Sequence, residues 1–129
     1  MLFADSPELV SNIEIQENVK LAPYTTMKIG GRARYFISAL GENDVIAALQ
    51  FARERGIEVF VLGGGSNVLI SDQGFGGLVI KIASHGIEQN DRGERVIVTA
   101  NAGEDWDEFV SYCVDRDLAG IECLSGIPG

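Results

Sequence analysis

Apolar residues in the first half of the chain follow two spacings, one typical of strands and one of a helix. Residues 33–38 combine aromatic and β-branched side chains, which predicts a strand. In residues 43–55 apolar positions recur every three or four residues, and Gly56 follows, so this segment predicts an amphipathic helix. Residues 57–62 predict a second strand, so 33–62 predicts a crossover unit whose strands pair in parallel. The apolar helix positions are Val45, Ala48, Leu49 and Ala52.

The second half of the chain predicts short strands joined by turns. Residues 68–70 and 78–82 are apolar runs typical of strands, and between them lie a predicted turn at 71–74 and a glycine-rich corner at 76–77. A polar link at 89–94 leads to a predicted strand at 96–100, and this spacing indicates an antiparallel region. Residues 1–18 are mostly polar and predict a short helix or a loose arm.

A second helix is predicted near the end of the chain. Asp105 is placed to cap its first turn, and Glu108 stands three residues later, as in a capping box. The apolar residues that follow recur on one helical face: Trp106, Phe109, Val110, Cys113 and Val114. Because Cys113 belongs to this face, we expect a buried core thiol rather than a reactive one.

Three consecutive glycines follow the strand predicted at 57–62, and Ser66 and Asn67 come next. Glycine has no Cβ and tolerates positive φ, so successive backbone N–H groups of such a loop can point at one anion, and side-chain hydroxyl and amide groups add donors. Residues 62–67 therefore predict a site for a phosphate-bearing cofactor. A glycine-rich turn without a ligand remains the alternative, because glycine is common in turns.

Two widespread nucleotide motifs do not match this loop. A dinucleotide fingerprint has a third glycine where Val68 stands, and it opens a helix where this sequence predicts a strand. A P-loop ends in lysine followed by serine or threonine, but no lysine occurs between Lys28 and Lys81. The sequence therefore disfavours both a Rossmann-type site and nucleotide hydrolysis.

Composition excludes further classes of protein. The 129 residues include 19 acidic and 10 basic side chains, and the net charge of −9 disfavours partners such as nucleic acid or an anionic membrane. The first residues lack a signal-peptide pattern, and no stretch approaches the roughly 20 apolar residues of a membrane span, so we expect a cytoplasmic protein. Cys113 and Cys123 lack metal-ligand spacing and are expected to be reduced thiols.

Three other features are better explained without a catalytic or ligand-binding role. His85 is the only histidine and has no nucleophile motif beside it. Trp106 lies on an apolar helical face and is expected in the core rather than against a cofactor. Capping and the helix dipole explain the acidic residues at the start of the second helix, namely Glu104, Asp105, Asp107 and Glu108. We therefore expect no metal site.

Four motifs in order carry a family resemblance from about Asn18 to the last residue. The motifs are NVKLAPYTTMKIGG at 18–31, VLGGGSNVL at 61–69, AGEDW at 102–106 and LAGIECLSGIPG at 118–129. No single motif is sufficient for an identification. Together they resemble the N-terminal part of the bacterial UDP-N-acetylenolpyruvoylglucosamine reductase family, also called UDP-N-acetylmuramate dehydrogenases.

The resemblance implies an α+β fold of the vanillyl-alcohol-oxidase/p-cresol-methylhydroxylase type, which binds FAD. It divides the chain into an arm at 1–18, a first FAD-binding subdomain at 19–71 and the start of a second at 72–129. The implied flavoenzyme belongs to peptidoglycan synthesis. In that family NADPH reduces FAD, and the reduced flavin passes hydride to UDP-N-acetylglucosamine enolpyruvate, which yields UDP-N-acetylmuramate.

The resemblance also implies cofactor-binding residues. The family segment that holds the FAD pyrophosphate matches Leu62, Gly63, Gly64, Gly65, Ser66 and Asn67, the same loop that glycine chemistry selects. The family motif near the flavin matches Ile127, Pro128 and Gly129, and Ser125 and Gly126 join them by proximity. Residues 25–31 match a family segment near the cofactor and are equally consistent with a structural turn.

Members of the family continue well beyond the Ile-Pro-Gly motif, and their catalytic arginine, serine and glutamate lie in that later portion. We therefore expect no catalytic residue and no substrate-binding domain in these 129 residues, which would be inactive alone and leave unpaired strand edges. Two alternatives remain open. One is another flavoprotein of the same fold, such as an aldose or aromatic-alcohol oxidase, and the other is a non-catalytic nucleotide-binding module.

Overall fold

The computed structural model of the protein describes residues 13–127, which contain six strands, two α-helices and two short 3-10 turns. The strands are β1 Gln16–Lys20, β2 Arg32–Ala39, β3 Val59–Leu62, β4 Phe75–Ile82, β5 Ile87–Arg92 and β6 Arg95–Ala100. The helices are α1 Glu42–Arg55 and α2 Trp106–Val114, and the 3-10 turns are Ala22–Tyr24 and Glu122–Leu124. Of the arm predicted at 1–18, residues 1–12 lie outside the described range, and residues 16–18 belong to β1 rather than to a helix or arm.

Four strands form one sheet in the order β1-β2-β4-β3. β2 and β3 run parallel to β4, whereas β1 is antiparallel to β2. The predicted direct pairing of the strands at 33–38 and 57–62 is therefore wrong, because β4 lies between them. β4 holds the central position because Leu78, Val79 and Ile80 are fully buried, and a central parallel strand needs apolar side chains on both faces.

Helix α1 covers one face of this sheet. It ends as predicted at Gly56, whose left-handed φ of 60° lets its N–H reach the carbonyls of Ala52 and Arg53. Two small buried side chains, Ala48 and Ala52, pack against sheet residues and allow a close approach. Leu49, which the periodicity places on the apolar face, is instead 46% exposed.

Irregular segments cover the opposite face of the sheet. Val68 and Ile70 pack there against a buried cluster of Leu21, Ala33, Phe36, Leu62 and Val79. The strand predicted at 68–70 is therefore wrong, because these residues contribute their side chains to the core without pairing at a sheet edge. The predicted corner at 76–77 is also wrong: both glycines lie inside β4, beside a register shift between β2 and β4.

The antiparallel region is confirmed as a two-stranded hairpin of β5 and β6. Its turn comprises only residues 93–94, so most of the predicted link at 89–94 is strand. α2 begins as predicted, since the Asp105 carboxylate accepts a hydrogen bond from the Glu108 N–H at 3.0 Å. Cys113 is buried as predicted, whereas Val114 is 48% exposed and does not belong to the buried face.

The position of β4 in the sheet disagrees with the boundary predicted between the two subdomains. The sequence places β4 after residue 71, in the second subdomain, but it is hydrogen-bonded between β2 and β3 of the first. The division itself stays a prediction. β1 and β3 form the edges of the four-stranded sheet, and Val61 of β3 is 58% exposed. Neither α-helix in residues 13–127 has the length and apolar character that crossing a membrane would require.

Candidate functional site

The glycine loop at 62–67 begins where β3 ends. Leu62 is 2% exposed and anchors the loop in the core, whereas Gly63, Gly64, Ser66 and Asn67 are exposed. Gly65 is buried and has φ +73°, so it is the glycine of the triplet that adopts the left-handed conformation. A Cβ at Gly65 would lie 2.0 Å from the carbonyl oxygen of Tyr24, so the chain passes too close there for any side chain.

The backbone N–H groups of residues 63–67 donate no hydrogen bond to any residue in the described range. These five residues belong to the stretch 60–68, which lines a cavity of about 350 Å³. A Cβ at Gly63 would meet no atom of residues 13–127 within 4 Å, so the described part of the chain leaves this space open. A run of free amides around an open cavity has the chemistry of an anion site. The exposed hydroxyl of Ser66 and amide of Asn67 can add donors.

The segment before β2 supports this loop. The N–H of Thr26 donates to the carbonyl of Gly65 at 2.9 Å. Thr25 is 2% exposed, and its hydroxyl lies 3.2 Å and 3.1 Å from the carbonyl oxygens of Ala22 and Ile29, which accept its hydrogen bond. Residues 25–31 therefore form a structural turn, and that turn lies directly beside the glycine loop. Both interpretations of this segment are compatible with the geometry.

The predicted flavin-proximal residues lie at the opposite end of the described chain. Ser125 and Gly126 both bond to Asp107: the Ser125 hydroxyl and the Gly126 N–H donate to the same Oδ1, at 2.8 Å and 2.7 Å. The Gly126 N–H, followed by the Ser125 hydroxyl, lowers the pKa of Asp107 below its usual range. Ile127 is 47% exposed. Pro128 and Gly129 lie outside the described residues.

Within residues 13–127, the two predicted parts do not share one cavity. The described residues that line the cavity at the glycine loop are 60–68, whereas residues 124–126 contact α2. His85 lies 3.5 Å from the Glu104 carboxylate and does not line that cavity. In the part of the chain that the structure describes, no group of histidine, cysteine or acidic side chains is arranged to hold a metal ion.

Two contacts at α2 were not found from the sequence. Trp106, expected in the core, is half-buried, and its Nε1 donates to the Leu124 carbonyl at 2.7 Å. Asp107, ascribed to the helix dipole, binds Ser125 and Gly126, which are eighteen and nineteen residues away. Local spacing carries no signal for partners at that separation. Of the four acidic residues, Asp105 alone caps the helix with its side chain.

A glycine loop with free amides, set on an α+β scaffold, defines the class as a nucleotide-cofactor-binding domain. The family model for the FAD binding domain matches residues 33–129, and the chain belongs to this family. The FAD-binding fold predicted from the motifs is thereby confirmed.

The similar proteins are reductases. The chain is 46% identical over 119 residues to a UDP-N-acetylenolpyruvoylglucosamine reductase of Pseudomonas aeruginosa, matching 92% of the chain and 35% of the relative. It is 43% identical over 113 residues to the reductase of Thermobifida fusca, matching 87% of the chain and 32% of the relative. The resemblance read from the four motifs is confirmed. The chain spans about a third of the length of these relatives.

Solved structures agree with the sequence comparison. A crystal structure of UDP-N-acetylenolpyruvylglucosamine reductase from Thermus caldophilus superposes with a TM-score of 0.58 at 26% identity, covering 90% of this chain and 38% of that one. A cholesterol oxidase from Brevibacterium sterolicum superposes with a TM-score of 0.63 at 16% identity, covering 86% of this chain and 22% of that one. The second likeness concerns the fold alone.

Proposed function

We propose that this chain forms the FAD-binding part of an NADPH-dependent reductase that converts UDP-N-acetylglucosamine enolpyruvate into UDP-N-acetylmuramate for peptidoglycan synthesis. Relatives of that name support the reaction and its substrates. The observation that carries the role of this chain is the run of residues 63–67, which line an open cavity and whose backbone N–H groups have no acceptor among residues 13–127. The proposal places the protein in the cytoplasm, where NADPH and nucleotide sugars are available.

The glycine loop is proposed to hold the diphosphate of FAD. Its N–H groups would donate to phosphate oxygens, with Ser66 and Asn67 adding side-chain donors. This mode of recognition suits a chain with a net charge of −9, because backbone dipoles attract the anion without any lysine or arginine in the loop. The donor set therefore fits the cofactor, which supplies hydride-transfer chemistry when it is bound.

Ser125, Gly126, Ile127, Pro128 and Gly129 are proposed to approach the flavin ring. The exposure of Ile127 leaves an apolar side chain available for such a contact. We propose to move the end of the first subdomain from residue 71 to the end of β4, because β4 pairs with β2 and β3, so that the second subdomain begins with the β5–β6 hairpin. We assign no catalytic residue to this chain. Its residues bind and orient the cofactor in this proposal.

Ligand competition tests the role of the loop. Titration with FAD, followed by quenching of flavin fluorescence, should give saturable binding, and ADP should compete because it carries the same diphosphate. Riboflavin has no phosphate and should bind far more weakly. Equal affinity for riboflavin and FAD would contradict diphosphate recognition by the loop.

A protein that also contains the remainder of such a reductase tests the reaction. It should oxidise NADPH only when the enolpyruvyl UDP-sugar is present. Turnover that instead requires oxygen and an alcohol would assign the chain to an oxidase.

A further inference from the structure

The first turn of α2 holds the backbone that leads to the predicted flavin-proximal residues. One carboxylate oxygen of Asp107 accepts hydrogen bonds from the Ser125 hydroxyl and the Gly126 N–H, at 2.8 Å and 2.7 Å. Both donors bond to an ionisable carboxylate, and hydrogen bonds to an ionised acceptor are stronger than those between neutral groups. Asp105 already caps the helix, so capping does not account for Asp107.

In the described part of the chain, the hydrogen bonds that hold Ser125 and Gly126 both lead to Asp107. Residues 122–127 are exposed, so apolar burial does not determine their path. A neighbouring hydrogen bond also comes from the first turn of α2: Trp106 Nε1 donates to the Leu124 carbonyl. Gly126 has φ +81°, so the chain turns sharply at the residue that Asp107 holds. The direction in which Ile127 leaves this turn therefore depends on the Asp107 contact.

We propose that Asp107 is a positioning residue for the cofactor: by holding Ser125 and Gly126 it orients residues 125–127 toward bound flavin. This inference rests on the proposed function. Ordering a flexible segment on ligand binding reduces the net free energy of binding, and a segment that is already ordered avoids this cost. Loss of the carboxylate should therefore weaken FAD binding without removing any direct contact between Asp107 and the cofactor.

The test compares Asp107→Ala, Asp107→Asn and the control Glu108→Gln in the full chain. The control removes the same charge from the same helical turn, and in the described part of the chain the acceptor of the Ser125 hydroxyl and the Gly126 N–H is Asp107, not Glu108. Asn keeps an acceptor oxygen, so Asp107→Asn should retain part of the hydrogen bonding to residues 125–126 and part of the wild-type affinity for FAD. Three quantities are measured: exchange of the Gly126 amide by NMR without FAD, the Kd for FAD, and the visible absorption spectrum of the bound flavin.

In Asp107→Ala the Gly126 amide should exchange faster and the Kd for FAD should rise by roughly 3- to 10-fold, the range expected when a short segment must be ordered on binding. The flavin spectrum should shift as well, and a purely structural role would not change it. Asp107→Asn should fall between Asp107→Ala and the wild type, and Glu108→Gln should match the wild type.

Two results would overturn the positioning role. One is a Gly126 amide that exchanges at the wild-type rate in Asp107→Ala. The other is faster exchange with unchanged FAD affinity and an unchanged flavin spectrum. If the wild-type sequence fails to bind FAD even within a protein that contains the remainder of such a reductase, the proposed function itself is wrong and the positioning role falls with it. If Asp107→Ala does not fold, Asp107→Asn is compared with Glu108→Gln instead, and the same measurements of amide exchange, FAD affinity and flavin spectrum test the positioning role.

Discussion

Adding a methyl group should lower the stability of the protein at Gly65 and weaken FAD binding at Gly63, because the surrounding chain is packed closely against Gly65 but not against Gly63. In Gly65→Ala the new Cβ would lie 2.0 Å from the Tyr24 carbonyl oxygen and 2.9 Å from the Thr25 Cα, at a φ of +73°. The left-handed conformation costs about 1–2 kcal/mol for a residue with a Cβ. The overlap requires a backbone shift that costs about 1–3 kcal/mol.

Gly65→Ala should therefore lower the free energy of unfolding by about 2–5 kcal/mol, which for a domain of this size corresponds to a fall in Tm of roughly 6–20 °C. Gly93→Ala is the matched control for the conformational cost alone, since Gly93 has φ +71° and open space around it. Calorimetry on both variants separates the two costs. Equal stability of Gly65→Ala and Gly93→Ala would refute the argument that close packing against Tyr24 requires a glycine.

Gly63→Ala should leave stability unchanged, because its Cβ meets no atom within 4 Å and its φ is outside the left-handed region. The methyl group would instead occupy the space next to the free amides. Loss of one hydrogen bond to a charged phosphate should raise the Kd for FAD by about 10- to 100-fold. Gly76→Ala, also in open space but outside the glycine loop, is the control. Wild-type FAD affinity in Gly63→Ala would refute the assignment of this loop to the diphosphate.

Three further outcomes are expected. Thr25→Val should lower the free energy of unfolding by about 1–2 kcal/mol in urea titrations, because the carbonyls of Ala22 and Ile29 lose the buried hydroxyl that donates to them, and Thr25→Ser should recover most of this loss. Equal stability of the Val and Ser variants would contradict this. NMR titration of Asp107 should give a midpoint below 3.8, its usual value, because the bonds from Gly126 and Ser125 favour the ionised form. These bonds should thus stabilise the folded chain above pH 3.8, and this stabilisation should be lost as the pH falls through the lower pKa of the folded state. A titration midpoint at or above 3.8 would contradict the effect of these bonds on Asp107. FAD should raise the Tm of the chain only modestly, and a calorimetric shift that requires sub-micromolar affinity would show that these residues form most of the cofactor site.

Local signals in the sequence predicted the parts of the fold that depend on neighbours along the chain. The spacing of apolar residues and the glycine at position 56 predicted α1 and its end, because a helix repeats every 3.6 residues and needs a left-handed residue to stop. Asp105 predicted the start of α2 through a bond that spans three residues. Three glycines followed by Ser66 and Asn67 predicted an anion site because the chemistry of the loop is contained in those residues.

Tertiary structure decided what depends on distant partners. Periodicity shows that β4 is apolar but not which strands flank it, and its place between β2 and β3 follows from burying both of its faces. Which glycine of the triplet needs positive φ depends on Tyr24, some forty residues earlier, and three consecutive glycines in the sequence do not distinguish Gly65 from its neighbours. The partners of Asp107 lie eighteen and nineteen residues away, and only folding brings their donors to its carboxylate. The sequence by itself therefore determined the helices and the donor chemistry of the glycine loop. Strand order and long-range contacts were set by packing between segments far apart in the chain, and no local sequence pattern indicates which distant segments will pack together.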